Sequence, residues 1–361
     1  MKVAVVSGSL EPNQLTKVAD IELPPIKPNQ LLIKSEAFAI NPTDWKHIVS
    51  HKSKPGNIAG CDVSGTVAEV GSEVTGFKVG DHVSSFIHGN TQDFVGAFGE
   101  YVIANNKAII NYGRELKHSD NTEPGTIDSF EGAASVTLGL DTVALSFAYE
   151  LGIDYDKTKN KDKFILIWSG ATATGILAIQ VAKLIYGLQV ITTASPKNHE
   201  FLKSLGADYL FDYKDAEVVD KIKEVGKGKI VYGLDTIASD ETFQKLYDAT
   251  EGAPEVFLDS LLGKDAKHIV TDPKRVVHYG HTVAYLAFDK EYILGDGIKV
   301  YQEPEMVTKF DEFWTKYLPK YIHQIKHSHL LILKPGLESA AEGLELLRQG
   351  KISAKKVVFT L

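Results

Sequence analysis

The residues with the clearest chemical capacity form a short turn, Ser169-Gly170-Ala171-Thr172-Ala173-Thr174-Gly175. Glycine at Gly170 lets the backbone turn sharply off a strand, and glycine at Gly175 lets a following helix pack close to a sheet. The first N–H groups of such a helix have no intrahelical partners and lie at the positive end of its dipole. They therefore suit a pyrophosphate. Thr172 stands where the usual dinucleotide fingerprint has its middle glycine. An ordinary packing turn would use the same glycines, so the flanking elements must decide.

A second polar group follows at Thr193-Ala194-Ser195-Pro196-Lys197. An NAD-binding unit places Asp or Glu here to hold the ribose 2′-hydroxyl. No acid is present. A small Ala, a hydroxyl and a Lys suit a 2′-phosphate instead, which favours NADPH. As a plain solvated residue before the next helix, Lys197 would read the same way. Tyr213 either lies along the adenine-ribose side or simply packs.

The elements that must position these residues are legible around them. Phe164-Ile165-Leu166-Ile167-Trp168 is an apolar strand entering the turn. An amphipathic helix over 176–186 follows, stopped by Gly187, and Gln189-Val190-Ile191-Thr192-Thr193 is the next strand. A third strand is expected over 209–213, ending at Tyr213. Strands over 229–235 and 255–259, with a helix over 241–250 between them, continue an open α/β sheet. The polar stretch 154–163 reads as a surface loop. A basic, aromatic helix is expected over 310–327, and an amphipathic one over 337–349 with Gly350 as its stop.

The preceding part of the chain has a different character. Strands are expected over 2–6, 31–37, 66–70 and 96–103, punctuated by Gly71-Ser72 and Gly80-Asp81 turns. Asn41-Pro42-Thr43-Asp44-Trp45-Lys46 interrupts them and starts a short helix, with proline near its first turn. A helical segment over 131–145 leads to the cofactor region.

Composition sets the outer limits. A chain of 361 residues can hold two domains with cores of their own. Its 43% hydrophobic and 24% charged residues are those of a soluble globular protein, and no apolar run is long enough to span a membrane. The formal net charge of −8 argues against nucleic acid as a partner. Cys61 is the sole cysteine, so no intrachain disulfide forms, which suits a reducing, cytoplasmic compartment. The start of the sequence lacks a secretory pattern.

The stretch GCDVSGTVAEVGSEVTGFKVGDHV, followed by GAFGEYV, resembles the GroES-like domain of medium-chain dehydrogenases/reductases. ILIWSGATATGILAIQVAKL, ITTASPKN and LKSLGADYLFDY resemble the cofactor domain of that superfamily, and GKISAKKVVFTL its returning C-terminal strand. The likeness covers most of the chain and is weakest over 251–309. Within the superfamily it is nearest to the fungal zinc-free branch of trans-acting enoyl reductases and related aldehyde, alcohol and quinone reductases. The resemblance implies an α/β fold: a GroES-like, β-rich catalytic domain over 1–130, a Rossmann doubly wound parallel sheet over 131–310, and a return to the catalytic domain over 311–361.

It also implies site residues. Zinc members hold their ion with Cys and His or Glu ligands. By motif, Asn41 falls at the first Cys, Cys61 and Asp62 at the His-Glu pair, and Leu138 near the remaining ligand. Asn is a poor zinc ligand and Leu is none. One cysteine cannot build the structural zinc lobe, and His47, His51, His82 and His88 have no ligand spacing. The expectation is therefore no metal, with Cys61 a small buried apolar residue. By the same resemblance, Lys46 and Thr142 orient the nicotinamide or the substrate carbonyl, Asn41 contacts the nicotinamide ribose, and Thr43 holds the proton-relay position. Lys46 and Asp44 read equally as a surface ion pair, Thr142 as a hydroxyl bonded to its own helix, and Trp45 as core or pocket wall. His88 and Tyr101 are further acids that nothing raises above packing.

Without a Lewis acid, a conjugated acceptor is easier to reduce than an alcohol is to oxidise. The expectation is an NADPH-dependent reductase of small enones, quinones or aldehydes, monomeric or homodimeric. A zinc-free alcohol dehydrogenase or aldehyde reductase using NADH or NADPH stands beside it, as does a cofactor-binding sensor or structural protein without turnover.

Overall fold

The computed structural model describes residues 1–295 and 297–361, and the Cα packing divides the chain into two units. One unit comprises Met1–Leu138, Phe288–Val300 and Ile322–Leu361; the other comprises Gly139–Ala287 and Tyr301–Tyr321.

The first unit is organised on one long strand, Gln30–Ile40. Its first half pairs antiparallel with Tyr101–Asn105 and its second half with Lys355–Thr360, while Asp62–Val70 runs along its other edge. Register shifts at Leu32/Ile33 and Ser35/Ala37 interrupt the last pairing. Such irregularities bend a strand, which is why one strand can serve so many partners. His82–Phe86, Ile109–Asn111 and His329–Ile332 complete the sheet. Phe38, Phe98 and Phe359 pack together inside it, with ring centroids 4.9–5.7 Å apart. Phe359 ties the C-terminal strand to Gln30–Ile40, and the same pairing sets Val357 opposite Ile40. That register brings Lys356 to Asn41, the residue that begins the helix Pro42–Val49.

The second unit is built on a six-stranded sheet, all parallel. Its order is Tyr209–Phe211, Gln189–Thr193, Phe164–Trp168, Ile230–Asp235, Val256–Ser260, Val277–Gly280. The chain winds outward one way from Phe164–Trp168 and then returns to place Ile230–Asp235 on its other side. This is a doubly wound sheet with its switch point between those two strands. All five residues of Phe164–Trp168 are buried, as a central parallel strand covered on both faces must be.

Several elements differ from the sequence reading. The helix after the glycine turn starts earlier, at Ala173, and runs to Tyr186 through a wider last turn. It is not amphipathic: Gly175 to Ala182 are all buried, because protein covers both of its sides. The stretch 154–163 is not simply a surface loop. It contains the helix Lys157–Asn160, and buried Asn160 donates to the carbonyls of Asp154 and Tyr186. The third sheet strand ends at Phe211, leaving Tyr213 beyond it. The helical run expected over 310–327 begins at Pro304 and ends at Tyr321.

Candidate active site

In the second unit the turn after Phe164–Trp168 is held by threonines. Ser169 takes a left-handed conformation (φ 64°), and its N–H donates to the Thr193 hydroxyl (3.0 Å). A methyl group on Gly170 would lie 2.1 Å from Thr192 Oγ1, and one on Gly175 would lie 2.8 Å from Gly170 Cα. Both glycines are therefore required by close approach rather than by turn shape alone. Thr172 is the N-cap of the helix: its Oγ1 accepts the Gly175 N–H (3.0 Å) and donates to Thr236 Oγ1 (2.9 Å). Thr236 in turn donates to the carbonyls of Trp168 (2.9 Å) and Ser169 (3.1 Å). A threonine in the glycine position thus caps the helix and bridges the two strands at the switch point. Ala173 and Thr174 form the first turn of that helix beside Ala171, where first-turn N–H groups and the dipole suit a phosphate.

Ser195 lies just past the neighbouring strand, with its hydroxyl 3.5 Å from the Tyr213 oxygen. Lys197 is exposed on the one-turn helix Pro196–Asn198. These residues fit a phosphorylated ribose in chemistry: hydroxyl, phenol and ammonium, with no carboxylate among them. Thr142, also of this unit, is buried on the helix Thr137–Leu145.

In the first unit the helix Pro42–Val49 is tethered at its start. The Asn41 N–H donates to Asp44 Oδ2 (2.7 Å), and Asn90 Nδ2 donates to Asp44 Oδ1 (3.1 Å). Asp44 is fully buried, so it is not part of a surface ion pair with Lys46. Burial pushes its carboxyl up to about 6 against the hydrogen bonds from Cys61, Asn41 and Asn90. Cys61 is buried, but it is also a hydrogen-bonding group, joined to Asp44 and accepting from Asn90 Nδ2 at 3.4 Å. Lys46 extends to the surface 5.9 Å from the Trp45 ring centroid, and the protein around it lowers its pKa. Thr43 Oγ1 lies 3.3 Å from His47 Nε2.

The position expected for a metal is filled by side chains of this chain. Asp62 is completely buried, and its Oδ1 accepts the Leu138 N–H (2.9 Å). Its Oδ2 accepts from Asn41 Nδ2 (2.8 Å) and lies 3.5 Å from the Lys356 ammonium. Lys356, 4% exposed, also donates to Asn41 Oδ1. Asn41 thus spends both ends of its amide on Asp62 and Lys356, and Leu138 offers only its backbone. This set does not fit a zinc ion: a fixed ammonium already balances the one carboxylate, and tetrahedral zinc needs several anionic or imidazole donors. No cluster of three or more His, Cys, Asp or Glu suited to a metal occurs among the described residues.

Lys356 escaped the sequence reading. A lysine two residues into a returning strand looks like surface, and only buried Asp62 signals that a cation must meet it. Tyr292 escaped as well; its hydroxyl lies 2.9 Å from His47 Nε2, across 245 residues of sequence. No local pattern points to it.

Residues 27–113 match the alcohol dehydrogenase GroES-like domain, and residues 173–284 match the zinc-binding dehydrogenase family. A trans-enoyl reductase of Alternaria alternata, ACTTS2, is 33% identical over 96% of this chain and 95% of its own length. An uncharacterized protein of Saccharomyces cerevisiae is also 33% identical, over 95% of this chain and 94% of its own. Among solved structures, an alcohol dehydrogenase superfamily protein from Novosphingobium aromaticivorans has the same fold, with a TM-score of 0.74 at 20% identity over 100% of this chain and 99% of that one. No helix among the described residues is long and apolar enough to cross a membrane. A GroES-like unit, a doubly wound unit with a capped glycine turn, and relatives matching nearly end to end together make this chain a member of the medium-chain dehydrogenase/reductase superfamily of oxidoreductases.

Proposed function

We propose that this chain is an NADPH-dependent reductase that transfers hydride to activated double bonds or carbonyls of small enones, quinones or aldehydes, without zinc. The observation that carries the reading is the Lys356–Asn41–Asp62 group, whose Asn41 and Asp62 are the residues that the resemblance aligns with zinc ligands. A substrate activated by its own conjugation needs no Lewis acid. Relatives named as trans-enoyl reductases, at 31–37% identity, support reduction of an activated double bond.

When bound, a reduced nicotinamide supplies the hydride. The chain's own residues bind and orient. The first turn at Ala173-Thr174, fixed by the Thr172 cap, takes the pyrophosphate; Ser195, Lys197 and Tyr213 take the 2′-phosphate and its ribose. Asn41 is already committed to Asp62 and Lys356, so its side chain is a positioning group that holds the start of the Thr43-to-Lys46 turn in place. Lys46, whose pKa is lowered by burial, and the hydroxyls of Thr43 and Thr142 are the donors offered to a ribose, a carboxamide or the substrate oxygen.

Thermal melting with NADPH and with NADH tests the cofactor half of this reading. A ligand at about 100 times its Kd stabilises the native state by about 2.7 kcal/mol. A clear upward shift with NADPH and a smaller one with NADH is the expected result. Equal shifts would remove the 2′-phosphate site and favour an NADH-linked aldehyde reductase. No shift with either would remove the cofactor site.

A further inference from the structure

The segment Phe288–Val300 belongs to the first unit, although it follows the last strand of the doubly wound sheet. Phe288 packs on Phe86, with centroids 5.1 Å apart, and Asp289 meets His88 Nδ1. These contacts set Tyr292 over the helix Pro42–Val49. Its ring lies 5.7 Å from that of His88, and its hydroxyl reaches His47 Nε2 at 2.9 Å. From the other side, Lys52 Nζ donates to the Tyr292 oxygen (3.2 Å) and to the carbonyl of Ile293 (2.8 Å). The ammonium also lies 4.6 Å from the Tyr292 ring centroid.

Lysine only donates, so the phenol oxygen accepts from Lys52. In the tautomer that carries the imidazole proton on Nδ1, the phenol directs its own proton to His47 Nε2. His47 is neutral: burial, with His88 and Lys52 nearby, holds its pKa down at about 3. Tyr292 stays protonated at neutral pH, because burial pushes it up to about 12. On the same Nε2 sits the hydroxyl of Thr43, at 3.3 Å. Thr43 and Tyr292 are both partly exposed, and their two hydroxyls meet at one buried imidazole. An anchored phenol beside a fixed ammonium is what a proton donor needs, since the phenolate left behind is held by a charge already in place.

We propose that Tyr292, held between Lys52 and His47, is the acid that protonates the reduced substrate. This rests on the reductase reading above. Once an enone has accepted hydride from the reduced dinucleotide at its β carbon, the electron pair resides on the enolate. The Tyr292 O–H bond then breaks with its pair left on oxygen, and the proton forms the new C–H bond at the α carbon. Lys52 holds the phenolate and returns a proton to it, replacing its own from water. The sum is one hydride and one proton added across the double bond.

The test uses the full chain with NADPH and two acceptors, an α-methyl enone and a quinone. The enone must gain a proton on carbon; a hydroquinone anion exchanges its proton with water unaided. Tyr292→Phe should lower enone turnover by about 100-fold or more and change quinone turnover less than about threefold. It should leave the NADPH-induced melting shift unchanged. Wild type should give one enantiomer of the α-methyl ketone, and residual Tyr292→Phe product should be racemic. In Lys52→Met, the phenolate absorbance of Tyr292, measured against Lys52→Met/Tyr292→Phe, should titrate at higher pH than in the parent pair. Enone turnover within threefold of wild type in Tyr292→Phe would overturn the proposal, as would equal losses on both acceptors or an unchanged enantiomeric ratio. If Tyr292→Phe does not fold, Lys52→Met is read on the same two acceptors: it should lower enone turnover more than quinone turnover, and enone turnover within threefold of wild type, or equal losses on both acceptors, overturns the proposal instead. If wild type binds NADPH but reduces no enone, the substrate reading fails, and the role of Tyr292 fails with it.

Discussion

Replacing Lys356 with Met tests the buried ammonium directly. Methionine keeps much of the side chain's volume and removes its charge. Asp62 is 0% exposed and would lose its only ammonium partner among the described residues, while keeping bonds from Asn41 Nδ2 and the Leu138 N–H. Removing one member of a buried pair costs roughly 3–5 kcal/mol. The two remaining bonds place Lys356→Met toward the lower figure. At roughly 2–4 °C per kcal/mol, about 3 kcal/mol lowers the melting temperature by roughly 6–12 °C.

The loss must also depend on pH. Burial already raises the pKa of Asp62 above its ordinary value, and Lys356 is the largest force pulling it back. Without the lysine it rises further. A carboxyl whose native pKa exceeds its unfolded value binds more protons in the native state, so stability falls as pH rises through that window. The penalty of Lys356→Met should therefore be larger at pH 8 than at pH 5. Lys356→Met/Asp62→Asn, which removes the stranded charge, should recover most of the loss at pH 8. Melting followed by circular dichroism at both pH values decides. A Lys356→Met protein that melts within 1–2 °C of wild type at pH 8, or loses the same amount at both pH values, would refute the buried pair as described here.

Other substitutions test the nucleotide turn. Thr172→Ala removes the helix cap and should cost about 1 kcal/mol in chemical denaturation while weakening NADPH binding. Gly170→Ala should be more damaging, by roughly 1–3 kcal/mol, because its methyl group would meet Thr192 Oγ1 at 2.1 Å and Ile179 Cδ1 at 2.9 Å. Lys197→Ala should weaken NADPH binding and leave NADH binding nearly unchanged, measured by fluorescence titration; equal losses would remove Lys197 from a 2′-phosphate site.

Much of the cofactor unit was legible because its signals are local. Five consecutive apolar residues make Phe164–Trp168 a buried strand, and Gly170 and Gly175 mark where backbones touch. Thr172 was legible as a departure from the fingerprint, but its role was not, since that depends on Thr236, 64 residues on and just past the strand Ile230–Asp235. The helix was misjudged as amphipathic because Gln180, Lys183 and Tyr186 suggest a polar face. In the structure Gln180 and Tyr186 are buried, and Gln180 Nε2 is satisfied by the Ile176 carbonyl. Asp44 looked like surface charge because periodicity cannot show that Asn90 and Cys61 enclose it. The hardest features to read were long-range polar pairs. Lys356 meets Asn41 across 315 residues, and Tyr292 meets His47 across 245. Their partners are set by sheet register and by the path of Phe288–Val300, which hydrophobic patterning does not encode.

The most direct measurement of the proposed chemistry is steady-state NADPH oxidation with an α,β-unsaturated ketone, using protein purified and assayed in a strong zinc chelator. Turnover should be undiminished by the chelator, unchanged on adding zinc, and faster with NADPH than with NADH. Turnover that vanishes in the chelator and returns with zinc would contradict the account, because the Lys356–Asn41–Asp62 group would then not be what occupies that position in the working enzyme.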